Sequence, residues 1–207
     1  MAPRPATANA SVLLSHTRGS TVYYLHPNDV KECTITKSEI DGSLACYRIT
    51  SSKTRSRTSM YKANEPSPFA TVQRSFWSEK VTLRGKQPMK VGQWLRQPSF
   101  GVCPATFEEQ ERTYVWKADG RGLSLYSSED QRNPIACFRQ VTSKMVNGFP
   151  SIIPASLILR PEASAIQDLV IASFLILEHR HRINRTTAES QQERVSLQKS
   201  GFSSPSY

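Results

Sequence analysis

Between Asp168 and Glu178 the chain reads Leu-Val-Ile-Ala-Ser-Phe-Leu-Ile-Leu, and this run constrains the fold more than any other. Helix signals flank it. Ser164-Ala-Ile-Gln167 is a capping box with Pro161 just ahead of it. Asp168 falls in the first turn and Arg180-His-Arg182 in the last, which suits the helix dipole at both ends. At about 100° per residue, Leu169, Val170, Ile171, Phe174, Leu175, Ile176 and Leu177 cover every face. A helix that is apolar all round has to be surrounded. Its core spans about 14 Å at ~1.5 Å per residue, under half of a ~30 Å hydrocarbon layer, so a membrane span is not expected. The economical solution is a helix enclosed by a sheet.

The rest of the middle supplies that sheet. Thr21–Leu25, Cys33–Lys37, Leu44–Ile49, Ala70–Trp77 and Thr113–Lys117 are short runs rich in β-branched and aromatic residues. Asp41-Gly42 and Asp119-Gly120 fall between such runs and read as hairpin turns. Leu44-Ala-Cys-Tyr-Arg48 is echoed by Ile135-Ala-Cys-Phe-Arg139, either as an internal repeat or as two ordinary strands sharing common residues. The expected organisation is a disordered tail over residues 1–18, one domain over 19–183 and a disordered polar tail over 184–207.

No apolar core of the ~7–15 residues that a secretory signal needs opens the chain. Cys33, Cys46, Cys103 and Cys137 are widely spaced, with no C-x-x-C pair. They read as reduced cysteines in an intracellular, cytoplasmic protein. Asn184-Arg-Thr186 is then a chance match to a glycosylation acceptor.

Trp116-Lys117, Leu123-Ser-Leu125, Ile135-Ala-Cys-Phe138 and Leu157-Ile-Leu159 lead into Asp168–Phe174 and Glu178-His-Arg-His-Arg182. That order resembles a family of fungal, chiefly basidiomycete, proteins known only as a domain of unknown function. The family looks related to the tubby-like group, which includes LURP-one-related proteins and phospholipid scramblases. The resemblance spans roughly Gly19 to Ile183. It implies a mainly β fold: a closed or strongly curved antiparallel β-barrel around one hydrophobic C-terminal helix. Ser173 stands where members usually carry Thr. No activity comes with the resemblance. Tubby domains bind phosphoinositides and scramblases act on lipids, but no phosphoinositide motif or calcium loop is present here to carry over.

The chain offers little catalytic chemistry. It has no G-x-S-x-G elbow, P-loop, G-x-G-x-x-G or H-E-x-x-H. His179 and His181 would point about 200° apart on a helix, so they cannot share a metal. Glu108, Glu109 and Glu111 lack the spacing and turn glycine of a calcium loop and read as a solvated loop. Neither an enzyme nor a cofactor is expected, although Cys–His or Ser–His partners that meet only in the fold would make an unrecognised hydrolase.

Charge is the remaining feature. The chain carries 27 Lys and Arg against 17 Asp and Glu, a net +10. The excess is concentrated between Lys53 and Arg96, where only Glu65 and Glu79 are acidic. Lys53, Arg55 and Arg57 alternate with Thr54, Ser56 and Thr58, so on a strand they would share one face. With Lys62, Arg84 and Lys86 they are the candidate contacts for an anionic ligand. The expected function is a non-enzymatic peripheral module for anionic lipid or phosphate, at about 1 kcal/mol per basic group near the surface. The alternative is a protein-interaction or structural domain with incidental charge. No nucleic-acid module is visible, so nucleic acid is not expected as a partner.

Overall fold

A computed structural model describes residues 19–39, 42–98, 101–119, 122–146 and 148–200. The tail expected over 1–18, the last seven residues, and Asp41 and Gly120 of the two Asp-Gly turns lie outside the described residues. The first meander comprises β1 (Thr21–His26), β2 (Cys33–Glu39), β3 (Gly42–Ser51), β4 (Arg57–Lys62), β5 (Ala70–Arg74), β6 (Glu79–Leu83) and the short β7 (Met89–Lys90). It passes into one helical turn, α1 (Val91–Trp94). The second comprises β8 (Ala105–Glu109), β9 (Arg112–Asp119), β10 (Gly122–Ser127) and β11 (Ala136–Arg139). A separate hairpin follows, β12 (Thr142–Val146) and β13 (Phe149–Ile153). The last strand is β14 (Ser156–Leu159), and a 3₁₀ turn over Pro161–Ile166 leads to α2 (Gln167–Ser200).

Twelve strands form one antiparallel sheet in the order β7-β6-β5-β4-β3-β2-β1-β14-β11-β10-β9-β8. β14 joins the two meanders, pairing Leu159 with Thr21 of β1 and with Ala136 of β11. It is buried along its whole length. Elsewhere burial alternates, as in β4, β5 and β8, so one face of the sheet is packed. Gly122 is required at the start of β10. Its φ is +150°, and a Cβ there would come within 2.1 Å of the Phe138 carbonyl oxygen.

The packed face holds α2. Residues Val170 to Glu178 are at most 2% exposed, as an all-apolar helix requires. The helix touches both meanders. Phe174 packs on Phe138 with ring centroids 4.5 Å apart, and the Trp116 indole N–H donates to Ser173 Oγ at 2.9 Å. From the other meander, Tyr47 O–H donates to Asp168 Oδ1 at 3.1 Å, and Glu79 pairs with Arg180.

Two expectations are corrected. The sheet does not close into a barrel, because its end strands β7 and β8 form no ladder. β7 is two residues long, and Pro88, Pro98 and Pro104 remove backbone donors where a ladder would form. One bridge spans the gap: Arg96 and Thr106 exchange both backbone hydrogen bonds at 2.8 Å. The second correction concerns the helix ends. Residues 161–166 form the 3₁₀ turn, so Ser164 does not cap the helix, and the Gln167 side chain donates to Tyr47 Oη instead.

At the far end α2 passes Arg180–Arg182 and runs to Ser200, through residues expected to form a tail. No Gly or Pro interrupts residues 167–200, and the Thr186, Thr187 and Ser190 hydroxyls donate to carbonyls four residues back. Residues 184–192 of this extension are exposed. No helix among the described residues is long and apolar enough to cross a membrane.

Candidate functional site

The six candidate cations fall into two groups at opposite ends of β4. Lys62, Arg84 and Lys86 line a cleft of about 680 Å³ at the start of α2. Each has a carboxylate there. Lys62 Nζ lies 2.9 Å from Asp168, Arg84 pairs with Glu65, and Lys86 Nζ lies 2.8 Å from Glu109. The Arg84 hydrogen bond holds the Glu65 carboxyl below the usual carboxylate range. Burial, and next Asp168, pushes the Tyr47 phenol far up. Three cations matched by three carboxylates make a formally charge-balanced cleft.

Lys53, Arg55 and Arg57 lie at the other end, where α2 leaves the sheet. They do not alternate along a strand. Residues 52–56 form the β3–β4 turn, Arg55 has φ +54°, and only Arg57 lies on β4. Hydrogen bonds from Ser52 N–H to Arg57 O (2.8 Å) and from Arg55 N–H to Ser52 O (2.7 Å) close the turn. Serines and a threonine that compete for local backbone partners explain why this polar run turns rather than extends. All three cations are exposed. Arg57 faces Gln73, Gln73 faces Lys80 and Lys80 faces Lys90 across β4 to β7, so three cations share one exposed row.

The neighbouring β5–β6 turn carries two residues that strand periodicity mis-assigns. β5 stops at Arg74, and Phe76 and Trp77 stand at the turn, each 89% exposed. Ser75 and Ser78 brace it: Ser75 N–H donates to Ser78 O at 2.8 Å and Ser78 N–H to Ser75 Oγ at 3.1 Å. The rings meet edge to face with centroids 4.7 Å apart. Arg74 N–H donates to Ser56 O at 2.6 Å, tying the aromatic turn to the basic one. A signal was available: adjacent residues on a strand point to opposite faces, so Phe76-Trp77 between serines cannot both enter one core.

Beneath the two turns the surroundings are cationic. Arg74 and Arg180 share Glu79. Burial lowers the Lys31 ammonium, helped by Arg74 and Arg55. Burial, then Arg74 and Lys31, pushes His179 down to about 4.

The fold also brings together one Cys–His pair that sequence left open. Cys103 Sγ and His181 Nε2 are 3.9 Å apart. Burial pushes the Cys103 thiol up to about 11 and lowers His181, the reverse of a thiolate–imidazolium pair. Glu108 and Glu109 of the acidic cluster pair with Arg96 and Lys86. Among the described residues no group of three or more His, Cys, Asp or Glu is placed to hold a metal ion.

Residues 28–183 match a protein-family model whose description is a family of unknown function. No curated protein and no solved structure matches the chain.

Proposed function

Since the chain belongs to the DUF6593 family of unknown function, we propose from the site alone that it is a non-enzymatic module that docks on anionic membrane surfaces. Phe76 and Trp77 enter the interface while Lys53, Arg55 and Arg57 meet headgroups. The observation that carries the reading is the backbone hydrogen bond from Arg74 to Ser56, which fixes an exposed aromatic pair beside an exposed basic turn. Aromatic rings suit the headgroup level, where apolar body and polar surroundings coexist. Burying one such ring is worth about 1.5–3 kcal/mol, and each nearby cation adds about 1 kcal/mol against an anionic leaflet. The antiparallel sheet packed on the C-terminal helix, open between β7 and β8, supports kinship with the tubby-like, scramblase-containing group as the fold reading. The four free cysteines support an intracellular, cytoplasmic setting, where anionic leaflets are found.

Vesicle sedimentation tests it, with phosphatidylcholine alone against phosphatidylcholine containing phosphatidylserine. Trp77 is the exposed one of three tryptophans, so a blue shift of fluorescence on docking reports its transfer out of water. Binding is expected only with phosphatidylserine. Phe76→Ser with Trp77→Ser, or Lys53, Arg55 and Arg57 changed together to Ala, should each weaken it about tenfold or more. Equal binding to neutral vesicles, or unchanged binding by both variants, overturns the proposal.

A second reading, docking of a protein partner, is favoured by the β12–β13 hairpin, where Met145, Phe149 and Ile152 are exposed. An apolar contact of that kind would survive salt that screens an electrostatic one. Hydrolase chemistry at Cys103 and His181 is disfavoured by the raised thiol.

A further inference from the structure

A second large cavity, about 770 Å³, opens where the β12–β13 hairpin leaves the sheet. Its size falls within the roughly 300–1,000 Å³ of ordinary small-molecule sites. Its lining includes three cations: Arg139 at the end of β11, Lys144 on the hairpin and Arg185 on α2. It also includes apolar residues: Val141 and Ile153 at the hairpin base, and Leu123, itself buried. Among the described residues the one carboxylate in the lining, Glu178, is buried and engaged by Arg182, whose Nε lies 2.8 Å away. Arg185 donates to the amide oxygen of Gln140 at 2.8 Å, a neutral partner. Among the described residues neither Arg139 nor Lys144 has a carboxylate partner. The cleft at the start of α2 is balanced cation for carboxylate; this one is not.

We propose that this cavity binds a single-chain amphiphile with an anionic head, the head held by Arg139, Lys144 and Arg185 and the chain laid against Val141 and Ile153. A half-buried arginine without a carboxylate is best satisfied by an anionic oxygen pair, which it meets with a bidentate fork. The apolar lining distinguishes such a ligand from a free anion. The site is separate from the Phe76–Trp77 turn, and the proposal does not rest on membrane docking.

Titration calorimetry on the full chain tests it, with dodecanoate and dodecyl phosphate as ligands and dodecyl maltoside and inorganic phosphate as controls. Saturable binding is expected for at least one of the two anionic chains, and the arm that binds more tightly identifies a carboxylate or a phosphate head. Arg139→Gln and Lys144→Gln should each weaken it about tenfold, the usual loss for a charged hydrogen bond. Lys144 is exposed, so its variant reports on binding even if Arg139→Gln fails to fold. Trp77→Ser should bind as the parent does, which separates this result from any failure of membrane docking. The proposal is overturned if neither anionic chain saturates, if the maltoside or inorganic phosphate binds as tightly, if Lys144→Gln leaves affinity unchanged, or if Trp77→Ser abolishes binding.

Discussion

Trp116 brings an indole N–H into the core with none of its surface exposed, and Ser173 on α2 accepts it. The same hydroxyl donates to the Leu169 carbonyl at 2.7 Å, so one oxygen satisfies the indole and bonds back to its own helix. Ser173→Ala would leave the indole N–H buried and unpaired. It should cost about 1–3 kcal/mol in urea unfolding, whereas Ser173→Thr keeps the hydroxyl and should retain the bond. A Ser173→Ala variant as stable as the parent would show that this contact contributes nothing. Sequence marked Ser173 only as a departure from a family pattern. Its partner lies 57 positions away, and nothing local announces it. Cys103 and His181 illustrate the same limit, since their approach depends on how the loop before β8 lies over α2.

At the scale of elements, legibility followed side-chain chemistry. Runs of β-branched and aromatic residues located β1, β2, β3 and β9 to within a few residues. The apolar run located α2 and required its enclosure. The Lys53–Thr58 alternation failed because serine and threonine satisfy backbone groups locally and turn the chain. The β12–β13 hairpin carries no strand signal because, among its described residues, none is buried. The end of α2 is not fixed by Arg180–Arg182, because basic residues favour a helix terminus without forcing one. Arg180 and Arg182 are used instead to reach Glu79 and Asn28. His179, on the same turns, makes the element sensitive to pH. Its ordinary value of 6.5 applies in the unfolded chain, against about 4 when folded. The unfolded chain therefore binds the proton more readily. Stability should be complete above about pH 6.5 and should decline as pH falls towards about 4. His181 is lowered too and acts with the same sign. Thermal midpoints measured across this window should fall with acidification, and His179→Gln should flatten the decline. An unchanged slope in that variant would remove His179 as the cause.

Across the whole molecule, the charge that looked like one basic segment is divided by the fold. Lys62, Arg84 and Lys86 are neutralised locally around the cleft at the start of α2. Lys53, Arg55 and Arg57 stand at the opposite end, beside the exposed aromatics. Binding to anionic vesicles should therefore weaken steeply with added salt, and changing Lys62, Arg84 and Lys86 to Gln should leave that salt dependence nearly as it was. If those three changes abolish it, the division of charge has no bearing on docking. Connectivity has a further consequence, this time for biogenesis. β14 pairs with both β1 and β11, and Thr21 meets Leu159 across most of the chain's length. During synthesis β1 and β11 therefore wait, as open edges, for the strand that joins them. Edges of that kind invite pairing with other chains, and such distant contacts form slowly. Completion of the sheet and delivery of the apolar helix to its interior are thus late events at the same end of the nascent chain. A chain arrested before residue 156 would present two unjoined meanders and an unfilled core, a form prone to aggregation.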